Sequence, residues 1–75
     1  METIITELKP INGRKSFGGK AQIKIEKNIV TLLSYGTEIC FYNTYSNVLN
    51  IVYTQKMSAT TNTHLKAFKK LYNLN

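Results

Sequence analysis

Residues Ser58–Asn75, SATTNTHLKAFKKLYNLN, are the stretch that decides the fold of this chain. At 100° per residue, one side of a helix over this stretch carries its apolar residues, Leu65, Phe68, Leu71 and Tyr72. The opposite side carries polar and basic residues, Asn62, Lys66, Lys69, Lys70 and Asn73. An apolar stripe of this kind has to be buried, so we predict an amphipathic helix that covers one face of a sheet. Ser58 or Thr60 is the expected N-cap.

Residues 1–57 alternate as β-strands do. Lys20–Lys27 turns Ala21, Ile23 and Ile25 to one face, which is the pattern of a half-buried strand. A short edge strand precedes it within residues 2–11, and Val48–Tyr53 forms the last strand. The sequence therefore predicts an α+β fold with a small antiparallel β-meander of three to four strands packed against one C-terminal α-helix. It forms a single domain over residues 1–75, with residues 1–57 as the sheet part and 58–75 as the helix.

The stretch Ile29–Tyr42 permits two interpretations. Gly36 either lies in a turn between two strands or marks a bulge within one long bent strand. The odd-numbered residues from Ile29 to Phe41 keep one phase throughout, and a tight turn would normally break that phase. We therefore favour the single strand, whose alternation places Cys40 on the outer face, opposite this odd-numbered set.

The composition indicates a small basic protein. Seventy-five residues carry a formal charge of +6 and one cysteine, so no internal disulfide can form. No apolar run approaches the length of a membrane span, and the N-terminus lacks the features of a signal peptide. These features predict a cytoplasmic protein without a membrane partner. A core this small also leaves a homodimer as an alternative assembly.

Two basic groups are the candidate nucleic-acid-binding residues. The first lies in a glycine-bearing loop and consists of Arg14, Lys15, Phe17 and Lys20. The second is the helix face with Lys66, Lys69 and Lys70, where no acidic residue offers pairing. The lysines and the arginine would contact phosphates, and Phe17 or an exposed tyrosine would stack on bases. The opposing interpretation is a solvated surface, with Phe17 in the core.

Catalytic and metal-binding constellations are missing from the sequence. His64 is the single histidine, and it lies beside the apolar stripe of the helix, where packing explains it. The four glutamates have no spacing typical of a catalytic pair, and no ligand set forms around Cys40. The sequence therefore predicts a protein that is not an enzyme and binds neither a metal nor a cofactor.

Three fragments carry a resemblance to a known family. They are Arg14-Lys15-Ser16-Phe17 with Gly19-Lys20-Ala21, then Leu32-x-Ser34-Tyr35-x-Thr37-x-Ile39, and finally Ser58-x-Thr60-Thr61-x-x-His64-Leu65-x-x-Phe68. In order and spacing they resemble a family of small uncharacterised proteins of phages and mobile elements of Gram-positive bacteria. The chain departs from that pattern at Gly18 and at Lys56-Met57, where aromatic residues are expected. The resemblance implies a phage or prophage gene expressed in a bacterial host cell, and it assigns no site residue.

Two functions compete at this stage. The first is binding of nucleic acid through the basic helix face and the basic N-terminal loop. The alternative is a protein-binding inhibitor of a host enzyme or defence system, similar to an anti-CRISPR protein, with Tyr42 and Tyr45 as interface anchors.

Overall fold

The computed structural model describes residues 3–8 and 19–74. It is α+β, as predicted, with one C-terminal helix and a five-stranded antiparallel sheet, which has one strand more than the upper limit of the predicted three to four. The strands are β1 (Thr3–Glu7), β2 (Ala21–Glu26), β3 (Ile29–Ser34), β4 (Thr37–Asn43) and β5 (Val48–Ile51), and the helix is α1 (Ala59–Leu71). The strand order in the sheet is the order of the chain, which makes β3 the central strand.

Short turns join the last four strands. Lys27 has a φ of 53° in the predicted turn between β2 and β3. Between β3 and β4, Tyr35 (φ 53°) and Gly36 (φ 78°) both have positive φ, as a two-residue type I′ turn requires. In the predicted turn between β4 and β5, the side-chain oxygen of Asn43 accepts hydrogen bonds from the backbone N–H groups of Tyr45 and Ser46.

The prediction of one long strand over Ile29–Tyr42 is wrong, because two phase changes cancel. The two-residue turn pairs Ser34 with Thr37, which would move the inward positions of β4 to odd numbers. Ile39 is then an extra residue, since Leu32 pairs with Cys40 while Leu33 pairs with Glu38. This β-bulge restores the even numbers, so the alternation along the sequence looks uninterrupted.

The faces of β3 and β4 are also the reverse of the prediction. The side that faces the helix carries even-numbered residues, which are Val30, Leu32, Ser34, Cys40 and Tyr42, all of them buried, and the bulged residue Ile39 is buried in the core as well. Cys40 therefore lies in the core rather than on the outer face. Tyr42 is buried too, so it cannot serve as the interface anchor proposed from the sequence.

Helix α1 begins as predicted and ends earlier than predicted. The Ser58 side chain accepts a hydrogen bond from the Thr61 backbone N–H at 3.1 Å, which confirms Ser58 as the N-cap. The helix stops at Leu71 instead of continuing to residue 75, because Asn73 adopts a φ of 56°. The N–H groups of Asn73 and Leu74 then bond back to the Lys70 and Lys69 carbonyls, which is a Schellman motif.

The buried side of α1 differs from the predicted stripe at several positions. Phe68 and Leu65 are buried as expected. Leu71 is 54% exposed, because it falls to the side of the contact surface at the last helical residue. His64 takes its place within the stripe and is 1% exposed. The helix thus rests on Thr61, His64, Leu65 and Phe68, at the i, i+3, i+4 and i+7 spacing, with the small side chain of Ala67 buried beside them.

This assignment of the helix faces predicts unequal effects of two alanine substitutions. Phe68→Ala removes a fully buried ring that packs against Tyr72 at 5.1 Å between centroids, and should lower the free energy of unfolding by about 3–5 kcal/mol. Leu71→Ala is the matched control and should lower it by about 0.5 kcal/mol or less. Urea denaturation followed by circular dichroism measures both. Equal losses for the two variants would contradict the observed faces.

Candidate nucleic-acid interface

The outward side of α1 carries the helix lysines. Lys66 and Lys70 are exposed and four residues apart, so they are neighbours along one line of the helix surface. Lys69 is less accessible, because it is half-buried on the flank of the helix. Its positive charge tends to lower the pKa of the Cys40 thiol in the core. Lys69 and Lys70 also lie in the last turn, where their charges complement the negative end of the helix dipole. Lys66 and Lys70 therefore form the accessible part of the predicted patch.

The two layers of the fold separate the charges. The three glutamates within residues 3–8 and 19–74 are Glu7, Glu26 and Glu38. Cross-strand pairing puts all three on the sheet face turned away from α1. Lys24 lies on the same face and forms ion pairs with two of them, at 3.2 Å to Glu38 and 3.8 Å to Glu26. The helix side of the described protein has lysines and no acid, so its positive potential is not cancelled locally.

Lys20 lies at one end of the sheet, beside an exposed aromatic ring. The register that pairs Ala21 with Ser34 brings Lys20 opposite Tyr35, whose backbone N–H donates to the Lys20 carbonyl at 2.7 Å. The Lys20 ammonium lies 5.9 Å from the centroid of the Tyr35 ring. Sequence reasoning missed this pairing, because it depends on the register between β2 and β3.

The structure does not join all predicted residues into one patch. The Lys20 ammonium lies 5.9 Å from the ring of Tyr35, which lies 5.8 Å from the ring of His64 on the inner side of α1. Lys66 follows His64 by two residues and so lies about 200° further round the helix. Lys20 and the helix lysines are therefore two separate contact regions. Arg14, Lys15 and Phe17 lie outside the described residues.

A chain of hydroxyl groups connects the start of α1 to the sheet. Ser34 Oγ lies 2.8 Å from His64 Nδ1 and 3.3 Å from Thr61 Oγ1, and the Ser58 hydroxyl donates to Thr61 Oγ1 at 3.2 Å. A serine hydroxyl beside an imidazole has the elements of a nucleophile and its base. Here both side chains are buried, which closes the hydroxyl to a substrate. The contact instead satisfies polar groups that α1 covers.

The Cys40 thiol has low nucleophilicity in the folded protein. Burial raises the pKa of its thiol to about 11, against the opposing influence of Lys69 and of a backbone hydrogen bond at Leu32. A thiol with so high a pKa is a poor nucleophile near neutral pH. Over residues 3–8 and 19–74, no three metal-ligating side chains come together. No helix in this part of the chain is both long enough and apolar enough to cross a membrane.

Comparison with known families places almost the whole chain in one of them. Residues 6–75 match the model of DUF8033, a family of unknown function, and the chain belongs to this family. No curated protein and no solved structure matches the chain.

The buried imidazole predicts that the protein loses stability in mild acid. Burial lowers the pKa of His64 below its ordinary value of 6.5, and the charge of Lys20 lowers it further. In the unfolded chain His64 takes up a proton near pH 6.5, while the folded protein resists it. The free energy of unfolding should therefore fall as the pH is lowered through 6.5 toward 5.

Urea denaturation at several pH values measures this dependence. His64 is the single histidine of the chain, so a His64→Gln variant should be flat between pH 7 and 5. A wild-type protein as stable at pH 5 as at pH 7 would contradict the lowered pKa.

Proposed function

We propose that the protein is a non-enzymatic nucleic-acid-binding protein that contacts the phosphate backbone through the helix side. The observation that carries this proposal is the separation of charge between the two layers. Among the described residues, three glutamates and Lys24 share the outer sheet face, whereas Lys66 and Lys70 stand on α1, which carries no acidic residue. A surface of this kind attracts a polyanion and orients it toward the helix.

The second contact region is Lys20, which the basic N-terminal loop with Arg14, Lys15 and Phe17 would extend. Phosphate contacts of this kind position a protein on nucleic acid without reading its sequence. The proposal therefore includes strong dependence on salt and weak dependence on base sequence. The phage or prophage origin implied by the resemblance belongs to the same proposal, with the cytoplasm of the bacterial host as the place of action.

The alternative function is inhibition of a host enzyme or defence system by direct protein contact. Tyr45 favours it, because the turn between β4 and β5 holds this side chain 85% exposed. Next to it, the edge strand β5 and the residue that follows expose Val48, Ile51 and Val52. Exposed tyrosine and aliphatic side chains are typical of protein interfaces. None of these residues belongs to the helix lysines, so the two functions can be tested with separate variants.

Removing two helix lysines should weaken binding of a polyanion. The Lys66→Gln/Lys70→Gln variant is expected to bind a short DNA more weakly than wild type. The slope of log K against log salt should fall by about 1.4–1.8, since two phosphate contacts are lost. Fluorescence anisotropy at several salt concentrations measures both quantities.

The matched control is Lys24→Gln/Lys27→Gln. Each double variant removes two positive charges from +6 and leaves +4, but the control removes them from the outer sheet face and a turn. It should keep the salt slope of wild type. If both double variants bind DNA equally weakly, net charge alone determines the affinity and the helix lysines have no special role. If wild type does not bind DNA at low salt, the proposed function is wrong.

The alternative predicts a different outcome in affinity purification from host lysate. Treatment of the lysate with nuclease should leave a partner bound if the contact is with a protein, and a Tyr45→Ala variant should then lose that partner. If every partner disappears after nuclease treatment, the contact runs through nucleic acid and the alternative is wrong.

A further inference from the structure

We propose that Tyr35 and Lys20 form a stacking site for an unpaired base, so that the preferred ligand is single-stranded nucleic acid. This inference rests on the proposed function and names its substrate class. It follows from the backbone of the turn, the placement of the ring, the neighbouring cation and the layout of the lysines.

The backbone at Tyr35 is unusual for an aromatic residue. A φ of 53° is a left-handed conformation that bulky side chains rarely adopt. The two-residue turn that Tyr35 forms with Gly36 is best served by Asn-Gly or Asp-Gly. The turn itself therefore gives no reason for a tyrosine. Unfavourable backbone conformations of this kind concentrate at functional sites, where a particular side chain is needed.

The ring of Tyr35 is both held in place and open to solvent. Its centroid lies 5.8 Å from that of His64, with 41° between the ring planes. His64 is itself fixed by its 2.8 Å contact with Ser34 in the core. Nevertheless, the Tyr35 residue remains 57% exposed. Because the ring is already held against His64, stacking of a base on it costs little side-chain conformational entropy, and little affinity is lost for that reason.

Lys20 supplies the phosphate contact that a nucleotide site needs beside its stacking surface. Its ammonium lies 5.9 Å from the centroid of the Tyr35 ring. Glu7, Glu26 and Glu38 are on the sheet face turned away from α1. A cation beside an exposed aromatic ring offers a phosphate contact next to a stacking surface. This combination is what proteins use to bind single strands without reading their sequence.

The arrangement favours a single strand over a duplex for two reasons. The bases of a duplex are stacked on one another inside the helix, so Tyr35 cannot reach the face of a base without unpairing it. In addition, Lys20 lies beside the Tyr35 ring at the buried side of α1, whereas Lys66 is on its outward side, and a flexible strand can follow such a path more readily than a stiff duplex.

The test compares a twelve-nucleotide oligothymidine with a duplex of the same length, which is within site sizes of about 4–16 nucleotides. Fluorescence anisotropy gives Kd for wild type, Tyr35→Asn, Tyr35→Phe and Tyr45→Asn. Tyr35→Asn creates the favoured Asn-Gly turn and so removes the ring while preserving the hairpin. Tyr45→Asn makes the same chemical change at an exposed turn residue at the other end of β4.

Wild type should bind the single strand more tightly than the duplex. Tyr35→Asn should raise Kd for the single strand about tenfold or more, with Kd for the duplex unchanged. Tyr35→Phe and Tyr45→Asn should behave as wild type. In NMR spectra of the wild-type protein, the ring protons of Tyr35 should shift upfield when the oligothymidine is added, because a base lies over them.

The possible failures are distinguishable. If wild type binds but Tyr35→Asn binds the single strand equally well, or loses both ligands to the same extent, the stacking site is overturned and the phosphate contacts stand. Unshifted Tyr35 ring protons in the bound wild-type protein overturn it too, independently of any variant's stability. If wild type binds neither ligand at low salt, the proposed function itself has failed.

Discussion

The packing of one helix on one face of the sheet is the constraint on which the rest of the structure depends. Phe68 and Leu65 occupy the centre of that contact, and they fix the rotation of α1 about its axis. Once the rotation is fixed, Lys66 and Lys70 have to point away from the sheet. The three glutamates of the described residues, Glu7, Glu26 and Glu38, all lie on strands and are left on the sheet face turned away from the helix. A single hydrophobic contact thus determines both the core and the distribution of charge.

The two ends of this contact differ in chemistry. Toward the end of α1, Tyr72 packs its ring against Phe68 and Tyr42, with centroids 5.1 and 5.7 Å apart. At the start of α1, Ser34, Thr61 and His64 meet through hydroxyl and imidazole groups. Polar contacts need defined partners and directions, whereas apolar contacts tolerate sliding. The polar end therefore fixes the register of α1 along β3, and it also supports the ring of Tyr35 from below.

The fold class and the helix lysines could be predicted because they depend on periodicity within a continuous segment. The helical period put Lys66 and Lys70 on the exposed side of α1, as the structure does. It wrongly put Leu71 in the buried stripe and left out Thr61 and Ala67, since burial at these positions depends on how the sheet extends along α1. The error over Ile29–Tyr42 had another cause. A turn and a bulge at Ile39 each change the phase of alternation, and a pattern in sequence records only their sum. The pairing of Lys20 with Tyr35 was not predictable, because it requires the register between two strands.

The order of strands in the sheet has a consequence for how the chain folds. The last three strand pairs close through turns of two to four residues, so their pairing costs little chain entropy. The helix is different, because its contacts reach back to Ser34 across 27 and 30 residues of sequence. Ile39 reduces the length of chain that has to close when the helix docks. Its carbonyl accepts hydrogen bonds from the backbone N–H groups of Val52 and Tyr53, which hold the chain against β4 as it leaves β5. The bulged residue thus serves as an anchor point from which only a short segment remains to be closed when the helix docks.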